Sequence, residues 1–323
     1  GIGGATHFLA RDSRETVLGE KRWDAPLGHP AALEFLLDFL PSAAAYDRLA
    51  AVGHRVVHGG SEFGGPVLVS EAVLAELEKL VPLAPLHQPH CLAAIRSVAK
   101  LDASLRQVAC FDTSFHRTQL PVAQAFALPA SITSRGVQRY GFHGLSYEYV
   151  ASVLPELDSL AATGRTIVAH LGAGSSLCAL STGRSVATTM GFTALDGLPM
   201  GTRCGTLDPG VVLYMIDQLG MTTREVEHML YNESGLAGVS GISGDMRELM
   251  ANDKAPARAA IDLYVYRIGR ENGSLTSALG GLDALVFTAG IGEHHPATRA
   301  AVGAVSPWPG WAMQPDAHQS HGP

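Results

Sequence analysis

The sequence lacks the features that mark several common classes of protein. Its 323 residues include four cysteines without C-x-x-C spacing, which argues against a zinc site or a disulfide framework and favours reduced thiols. No apolar run is long enough to span a bilayer, and the stretch "GIGGATHFLARDSRE" lacks the apolar core of a signal peptide. We therefore expect a cytoplasmic protein that does not bind a membrane.

Positive charge is scarce as well. The chain has 23 Lys and Arg against 30 Asp and Glu, so its net charge is -7. Such a balance does not suit a surface that binds nucleic acid. An anionic ligand would have to be held by a few local arginines and by backbone N–H groups. The 46% of hydrophobic residues is ample for a buried core and, at this length, for two domains.

Several familiar catalytic motifs are also missing. The chain has no G-x-x-x-x-G-K-[ST] loop, no G-x-G-x-x-G fingerprint, no H-E-x-x-H pair and no G-x-S-x-G elbow. These absences argue against a Walker-type nucleotide site, a Rossmann dinucleotide site, a zinc protease and an α/β-hydrolase. What the sequence does have is 36 glycines, which are concentrated in short motifs between apolar runs.

Strand-like and helix-like patterns alternate along the chain, which predicts the α/β class. A long stretch from "GRTIVAHLGAG" to "GRSVATT" reads as a series of hairpins. Helices are predicted where apolar residues recur at helical spacing, one of them opened by Ser70 and another by Thr222 or Thr223. The predicted strands outside the hairpins lie in "HRVVHGG", "LRQVACFDTSFH" and "ALVFTAGIGE".

Two glycine turns follow directly on predicted strands. They are "HLGAGSS" and "TAGIGE", and backbone N–H groups in such turns can surround phosphate oxygens. A plain tight hairpin would explain either one equally well. The presence of both in one chain favours a nucleotide-binding site.

Some charged residues lie beside these glycines or at strand ends. Arg55 and Arg203 have glycine neighbours; each could form an ordinary surface ion pair, or the two could clamp a carboxylate or a phosphoryl group. Asp112 ends an apolar strand, where it could be a catalytic carboxylate or the cap of the next segment. A lone histidine is more often structural than catalytic. Those within or beside the motifs are His54, His58, His87, His116, His143 and His170.

Taken together, the motifs resemble the acetate kinase family, acyl-phosphate-forming kinases of the sugar kinase, heat-shock chaperone and actin superfamily. The matching pieces keep the family's order as far as about Val302. They are "HRVVHGG", "PLAPLHQPH", "FDTSFH", "RYGFHGLSYEYV", "HLGAGSSL", "MGFTALDGLPMGTRCGTLDPG", "SGLAGVSGISGDMREL" and "FTAGIGE".

The resemblance implies an α/β fold of two ribonuclease H-like domains with a nucleotide cleft between them. We assign residues 1–115 to an acyl-binding domain, 116–305 to a nucleotide-binding domain and 306–323 to a disordered tail. The expected reaction is reversible transfer of the ATP γ-phosphoryl group to acetate, with Mg²⁺ as cofactor, in a homodimer. A propionate or butyrate kinase, or a non-catalytic nucleotide-binding remnant, stays open as an alternative.

The resemblance also implies roles for individual residues. Asp112, His143 and Arg203 match the family's catalytic residues. Since a carboxylate acceptor is already ionised at neutral pH, Asp112 would orient the acyl group or a metal-bound water rather than remove a proton. The matches to the substrate site are Arg55, Val57, Leu86, His87 and Ala194. The matches to the ATP site are His170, Leu171, Gly172, Ala173, Gly174, Asp245, Met246, Arg247, Gly290, Ile291, Gly292, Glu293 and His294.

The chain departs from the family pattern at several positions. Ala173 stands where asparagine is usual, Ala194 where proline is usual, and Tyr147 where histidine is usual. The family's "N-A-G-S-S-S" loop and its C-terminal metal-linked glutamate have no match in this sequence. We therefore identify no metal ligand, describe the fold as truncated at both ends relative to the family, and expect the chain as written to be nearly inactive.

Overall fold

The computed structural model describes residues 6–40, 49–85 and 87–306. Within them the chain forms two compact units, one ending at Phe111 and the other beginning at Asp112. The predicted domain boundary lay a few residues further on, at 115. Each unit has a sheet and a hydrophobic core of its own, and each is described separately.

The first unit contains a hairpin and a three-stranded sheet. Strands β1 (His7–Arg11) and β2 (Val17–Arg22) pair antiparallel, a hairpin that the sequence analysis did not predict. In the other sheet β3 (Ala51–Val56) is parallel to β5 (Arg106–Phe111), and the short β4 (Val67–Leu68) lies antiparallel on the other side of β5. The strands predicted in "HRVVHGG" and "LRQVACF" are therefore present.

Three helices pack around these strands. They are α1 (His29–Phe39), α2 (Glu71–Lys79) and α3 (Gln88–Leu101). The prediction that Ser70 opens a helix is confirmed, because its hydroxyl accepts a hydrogen bond from the Val73 N–H at 3.3 Å. The core of this unit consists of Val56, Leu74, Leu77, Leu92, Ile95, Ala109 and Phe111.

The second unit is built on a four-stranded sheet. Strands β6 (Arg165–Leu171), β7 (Ser175–Ser181) and β8 (Arg184–Thr188) form successive antiparallel hairpins, as predicted. The β7–β8 turn has positive φ at both Thr182 and Gly183, the geometry of a tight two-residue hairpin. Strand β9 (Ala284–Thr288) lies parallel to β6 on its other side. The carboxyl ends of β6 and β9 therefore meet at one edge of the sheet.

The helices of the second unit vary widely in length. In chain order they are α4 (Pro121–Gln124), α5 (Ala130–Thr133), α6 (Gly144–Leu157), α7 (Ser159–Thr163), α8 (Pro209–Asp217), α9 (Thr223–Asn232), α10 (Gly235–Ser240), α11 (Met246–Met250), α12 (Ala255–Leu279), α13 (Ala289–His294) and α14 (Pro296–Ala304). Thr222 opens α9 through a reciprocal capping box with Glu225. Ser306, which the sequence analysis placed in the tail, is buried; residues 307–323 lie outside the described residues.

The long helix α12 supplies much of the second core. Its buried side chains pack with those of β6 and β7 into one cluster, which also includes residues of α10 and α11. The mixture of strands and helices in both units is the α/β class that the sequence predicted. Within the described ranges no helix has the length and hydropathy needed to cross a membrane.

Candidate active site

The start of helix α6 is fixed against the backbone of Asp112. The Gly144 N–H donates a hydrogen bond to the Asp112 carbonyl oxygen at 2.8 Å, and a Cβ at Gly144 would lie 2.2 Å from that oxygen. His143, the preceding residue, has φ 60 and ψ 18. A side-chain-bearing residue in this left-handed region costs about 1–3 kcal/mol, and such strain is concentrated at functional sites. Asp112 itself is buried, at the end of β5.

Hydrogen bonds and stacking hold the His143 ring. Its Nδ1 lies 2.7 Å from the Ser176 hydroxyl, and the ring stacks on His170 with centroids 4.2 Å apart. Ser146 and Tyr147, three and four residues later, lie on the same face of α6. Ser146 contacts His170 Nδ1 at 2.9 Å, and the Tyr147 hydroxyl lies 2.5 Å from the Ser176 hydroxyl. The first turn of α6 is thereby tied to both β6 and β7.

The predicted phosphate-binding turn lies beside this histidine. Residues 172–174 connect β6 to β7, and the Gly172 N–H donates to the Gly174 carbonyl at 3.0 Å. A Cβ at Gly174 would lie 3.1 Å from His143 Nε2 and 3.5 Å from an Arg203 Nη2. Because glycine leaves that space open, the imidazole and the guanidinium both reach the turn. Two of the three predicted catalytic side chains therefore meet at a predicted ATP segment.

The position of Arg203 is set by its own loop. Its Nη1 donates to the Ala194 carbonyl at 2.8 Å, and its carbonyl accepts from the Met200 N–H at 3.0 Å. Gly235, the first residue of α10, has φ +61, and a Cβ there would lie 2.2 Å from the Met200 carbonyl oxygen. The glycine thus lets α10 pack directly on the Arg203 loop. Ala194, predicted to line the acyl pocket, belongs to the same loop.

The second glycine segment lies next to the first. His170 on β6 pairs with Thr288 on β9, and a Cβ at Gly172 would lie 3.6 Å from that of Ala289. Helix α13 begins at Ala289, where the sequence suggested a glycine loop. It can begin there because the Glu293 carboxylate accepts from the Ala289 N–H at 2.9 Å and from the Thr288 hydroxyl at 3.0 Å. In this structure Glu293 caps its own helix.

The third segment, residues 240–249, packs against residue 201, so that two stretches of the backbone are in direct contact. A Cβ at Gly244 would lie 2.7 Å from the Gly201 carbonyl oxygen, and the Gly201 N–H donates to the Ala173 carbonyl at 3.2 Å. Asp245 caps α11 and forms an ion pair with Arg247 at 2.5 Å. Hydrogen bonding to Arg247 lowers the pKa of Asp245. The glycines here allow two stretches of backbone to approach each other closely.

Some predicted ATP residues can contact a ligand only through their backbone. The Leu171 and Met246 side chains are buried in the core of the second unit, and that of Ile291 packs against it. A Cβ at Gly290 would meet no described atom within 4 Å, so the start of α13 has open space beside it. Gly292 approaches the Ala169 carbonyl oxygen, which lies 3.5 Å from the position of an added Cβ. His294 lies near Glu293.

The remaining predicted substrate residues belong to the first unit. Arg55 is exposed on β3, Val57 follows that strand and is buried, and His87 is the residue before α3. Leu86 lies outside the described residues. The role of these three described residues in binding the acyl substrate remains a prediction.

A sequence model of the Acetokinase family matches residues 9–316 of the chain. The chain belongs to that family. Acetate kinase from Rhodopseudomonas palustris (strain ATCC BAA-98 / CGA009) is 55% identical over 324 residues, which cover 99% of this chain and 80% of the relative. Acetate kinase from Rickettsia akari is 50% identical, over 81% of this chain and 68% of its own.

Solved structures of the family superimpose on the chain. The crystal structure of Porphyromonas gingivalis acetate kinase has a TM-score of 0.85 at 34% identity, covering 98% of this chain and 82% of that one. A propionate kinase from Francisella tularensis has a TM-score of 0.88 at 35% identity, with coverage of 94% and 79%. The predicted family and the predicted α/β fold class are both confirmed.

Two histidines of this acetokinase are part of its cores. His116 Nε2 donates to the Phe142 carbonyl and its Nδ1 accepts from the Ser185 hydroxyl, both at 2.9 Å. His58 Nδ1 accepts from the Gly60 N–H at 2.9 Å. Burial lowers the pKa of each imidazole to about 4. Both histidines therefore have the structural role that is usual for a lone histidine.

Acid should destabilise the second unit through His116. The unfolded side chain takes up a proton near pH 6.5, whereas the folded one resists protonation down to about pH 4. Between these values the unfolded state binds more protons than the folded state. The free energy of unfolding should therefore decrease as the pH is lowered, by at most about 1.4 kcal/mol per pH unit. Urea unfolding at a series of pH values would measure the slope, which His116→Asn should reduce.

A control in the same network separates titration from packing. The Gln119 amide donates to the Ser185 hydroxyl at 2.9 Å, so Gln119→Leu removes a hydrogen bond without removing a titrating group. We expect it to lower stability at every pH and to leave the slope as it was. An unchanged slope in His116→Asn would contradict the assignment.

Sequence analysis missed the residues that position His143. Ser176 was not singled out, and Tyr147 was noted only as a departure from the family. The sequence did carry a signal, because His143, Ser146 and Tyr147 have the i, i+3, i+4 spacing of one helix face. The contact between Gly201 and Gly244 had no signal of that kind, since it depends on how two distant loops pack.

The described residues do not form a metal cage of their own. No group of three or more His, Cys, Asp or Glu side chains that could hold an ion occurs among them. Magnesium in phosphoryl-transfer sites is held largely by substrate phosphates and water, with few protein carboxylates. The side chains of the described residues therefore do not define a magnesium site.

Proposed function

We propose that the protein is an acetate kinase, which transfers the γ-phosphoryl group of ATP reversibly to acetate to give acetyl phosphate and ADP. The observation that carries the proposal is the convergence of His143 Nε2 and the Arg203 guanidinium on the glycine turn at Gly174. A transferring phosphoryl group needs charge-stabilising donors held in place before it arrives. The names of the relatives support the same reaction.

The side chains have separate roles in this proposal. Arg203 and His143 donate to the oxygens of the transferring group, where negative charge is spread in the transition state. Arg55 binds the carboxylate of the acceptor through its planar fork. Asp112 orients the acyl group and removes no proton, because acetate is ionised at neutral pH.

The three glycine segments would hold the nucleotide. Backbone N–H groups of residues 172–174 suit the phosphates, while the segments at 245–247 and 290–294 would take the adenosine. Ala173 offers no side-chain donor in place of the family's asparagine, so its main chain would have to supply any contact. Mg²⁺, if it were bound together with ATP, would supply neutralisation of the phosphate charge.

Direct assay of the product tests the proposal. The intact protein, meaning the chain completed with the two terminal segments of the family that this sequence does not match, would be incubated with ATP, acetate and Mg²⁺, and acetyl phosphate would be trapped as the hydroxamate. We expect formation that depends on acetate and a reverse reaction that makes ATP from ADP and acetyl phosphate. ATP hydrolysis without acyl phosphate, or no turnover in either direction, would contradict the proposal.

A propionate kinase is the second candidate, and Ala194 favours it. This residue stands where the family has a bulkier proline, and one of the matching structures is a propionate kinase. One methylene in an apolar pocket is worth about 1–3 kcal/mol. The proposed pocket should therefore accept acetate and propionate with a broad preference.

Replacement of Ala194 by proline should narrow that preference. The added ring takes space near the acyl methyl group, so the ratio of kcat/KM for propionate over acetate should fall about tenfold. Ala194→Ser, which changes little volume, is the matched control and should keep the ratio. If proline leaves the ratio unchanged, Ala194 does not line the pocket.

Assembly as a homodimer is part of the proposal. Helix α8 supports it, because Val211, Leu213 and Tyr214 are 41%, 60% and 55% exposed, and clustered apolar exposure is typical of an interface. Sedimentation velocity of the intact protein would give the mass, and a monomer at micromolar concentration would contradict it.

A further inference from the structure

We propose that Ser176 and Tyr147 act as a positioning pair, which fixes the imidazole proton of His143 on Nε2, the nitrogen beside the glycine turn. The inference rests on the proposed function insofar as His143 is taken to contact the phosphoryl group. The placement of the proton itself follows from hydrogen bonds within the second unit.

The Tyr147 hydroxyl, the Ser176 hydroxyl and the partly buried His143 ring form a hydrogen-bonded series. The Tyr147 hydroxyl lies 2.5 Å from Ser176 Oγ, which lies 2.7 Å from His143 Nδ1. Tyr147 and Ser176 are fully buried, so water does not reach their hydroxyl groups. Tyr147 keeps its proton, because burial raises the pKa of its phenol well above the ordinary value.

The number of available protons determines which group donates in each of these hydrogen bonds. Among the described residues the Tyr147 hydroxyl has one hydrogen-bond partner, Ser176, and the Ser176 hydroxyl has Tyr147 and His143. If Ser176 donated to Tyr147, the buried phenol proton would have no acceptor, which is costly. Tyr147 therefore donates to Ser176.

The hydrogen bond between Ser176 and His143 is oriented in the same way. With one lone pair of Ser176 taken by Tyr147, a donating His143 Nδ1–H would leave the Ser176 proton without an acceptor. The Ser176 proton therefore goes to His143 Nδ1, which must be unprotonated to accept it. A neutral imidazole has one proton, so that proton lies on Nε2.

This tautomer presents a donor to the turn. His143 Nε2 lies 3.1 Å from the place where a Gly174 Cβ would stand. An N–H at that nitrogen can donate to a phosphoryl oxygen, whereas the opposite tautomer would present a lone pair and repel it. For histidines that ligate metals, loss of the partner that fixes the tautomer typically lowers activity about 10–100-fold, and we expect a loss of that order here.

Nitrogen NMR tests the tautomer without an activity measurement. Protein labelled with ¹⁵N-histidine would be compared with His143→Gln to assign the two ring nitrogens of His143. We expect protonated Nε2 and unprotonated Nδ1 in the wild type, and a mixture of tautomers in Ser176→Ala and Tyr147→Phe. A wild-type spectrum with protonated Nδ1 would overturn the proposal.

The matched control is Tyr264 on helix α12, whose hydroxyl contacts Ser175, the residue next to Ser176 on β7. Tyr264 is also fully buried, and its hydroxyl lies 2.8 Å from that of Ser175. Tyr264→Phe therefore removes an equivalent buried hydroxyl next to a serine of β7, but not one that reaches His143. We expect it to leave the His143 spectrum as in the wild type; the same mixture as in Tyr147→Phe would overturn the proposal.

Kinetics distinguish this inference from the proposed function. In Ser176→Ala kcat should fall about 10–100-fold with little change in the KM for ATP, and Ser176→Thr, which restores the hydroxyl, should recover most of the loss. If the NMR spectra follow expectation while kcat does not change, the pair positions His143 but the proposed role of His143 in phosphoryl transfer is wrong. If the spectra of Ser176→Ala match the wild type, the positioning inference itself is wrong.

Discussion

Replacement of Arg203 by alanine is expected to lower kcat about 10²–10³-fold, the usual effect of removing one donor that stabilises transition-state charge. Its guanidinium and His143 Nε2 both lie beside Gly174. The fold should persist, because the arginine side chain is only partly buried. The measurement is kcat for acetyl phosphate formation by the intact protein, with far-UV circular dichroism as the check on folding.

Three further variants sharpen this test. Arg55→Ala should have a similar effect, since Arg55 is proposed to bind the carboxylate. Arg203→Lys keeps the charge but loses the planar fork, so its kcat should be intermediate. Arg184→Ala is the matched control, because that arginine is exposed on β8, and it should keep kcat within about twofold, as surface substitutions usually do. Near-normal turnover in Arg203→Ala would remove Arg203 from the active site.

Replacement of Gly144 by alanine is expected to damage both stability and catalysis. The new Cβ would lie 2.2 Å from the Asp112 carbonyl oxygen and 3.0 Å from the Phe115 Cβ. The start of α6 would have to move, and its hydrogen bond to Asp112 would be lost. Overpacking with a lost hydrogen bond costs about 2–4 kcal/mol. A shift of about 1 Å at His143 can lower kcat about 10²-fold.

A glycine with room around it is the control. A Cβ at Gly65 would meet no described heavy atom within 4 Å, and its φ is not in the left-handed region. Gly65→Ala should change the free energy of unfolding by less than about 0.5 kcal/mol. Urea unfolding and kcat would be measured for both variants. If the two behave alike, the contact between Gly144 and Asp112 does not constrain the site.

Local patterns in the sequence were enough to predict much of this fold. Ser70 predicts the start of α2, because a serine hydroxyl at that position can accept a hydrogen bond from a free N–H group of the first turn. The structure has this hydrogen bond, from the Val73 N–H. The apolar run before Asp112 predicts β5, and the glycine-rich stretch after residue 165 predicts the hairpins of the second sheet. In each case a short-range physical preference and the final fold agree.

Other features could not be predicted because they depend on distant partners. The left-handed backbone of His143 could not be predicted, because only a few per cent of residues other than glycine adopt it, even though histidine is enriched among them; in the structure it occurs where Gly144 packs on the Asp112 carbonyl. The start of α13 at Ala289 depends on a cap from Glu293, whose spacing differs from the common capping box. The family motif identified His143, but its ring is hydrogen-bonded to Ser176 on β7, a partner that the sequence did not predict.

The parallel pairing of β6 with β9 affects when, during synthesis and folding, the protein becomes able to bind nucleotide. Thr166 pairs with Ala284, and the neighbouring contact of Arg165 with Asp283 joins residues 118 positions apart. Closing so long a loop is slow, because its entropy is lost before the contact is made. On the ribosome, the turn at 172–174 emerges long before the segment at 289 that lies beside it. The nascent chain should therefore gain its affinity for nucleotide late and in one step, when β9 adds to an already formed hairpin sheet.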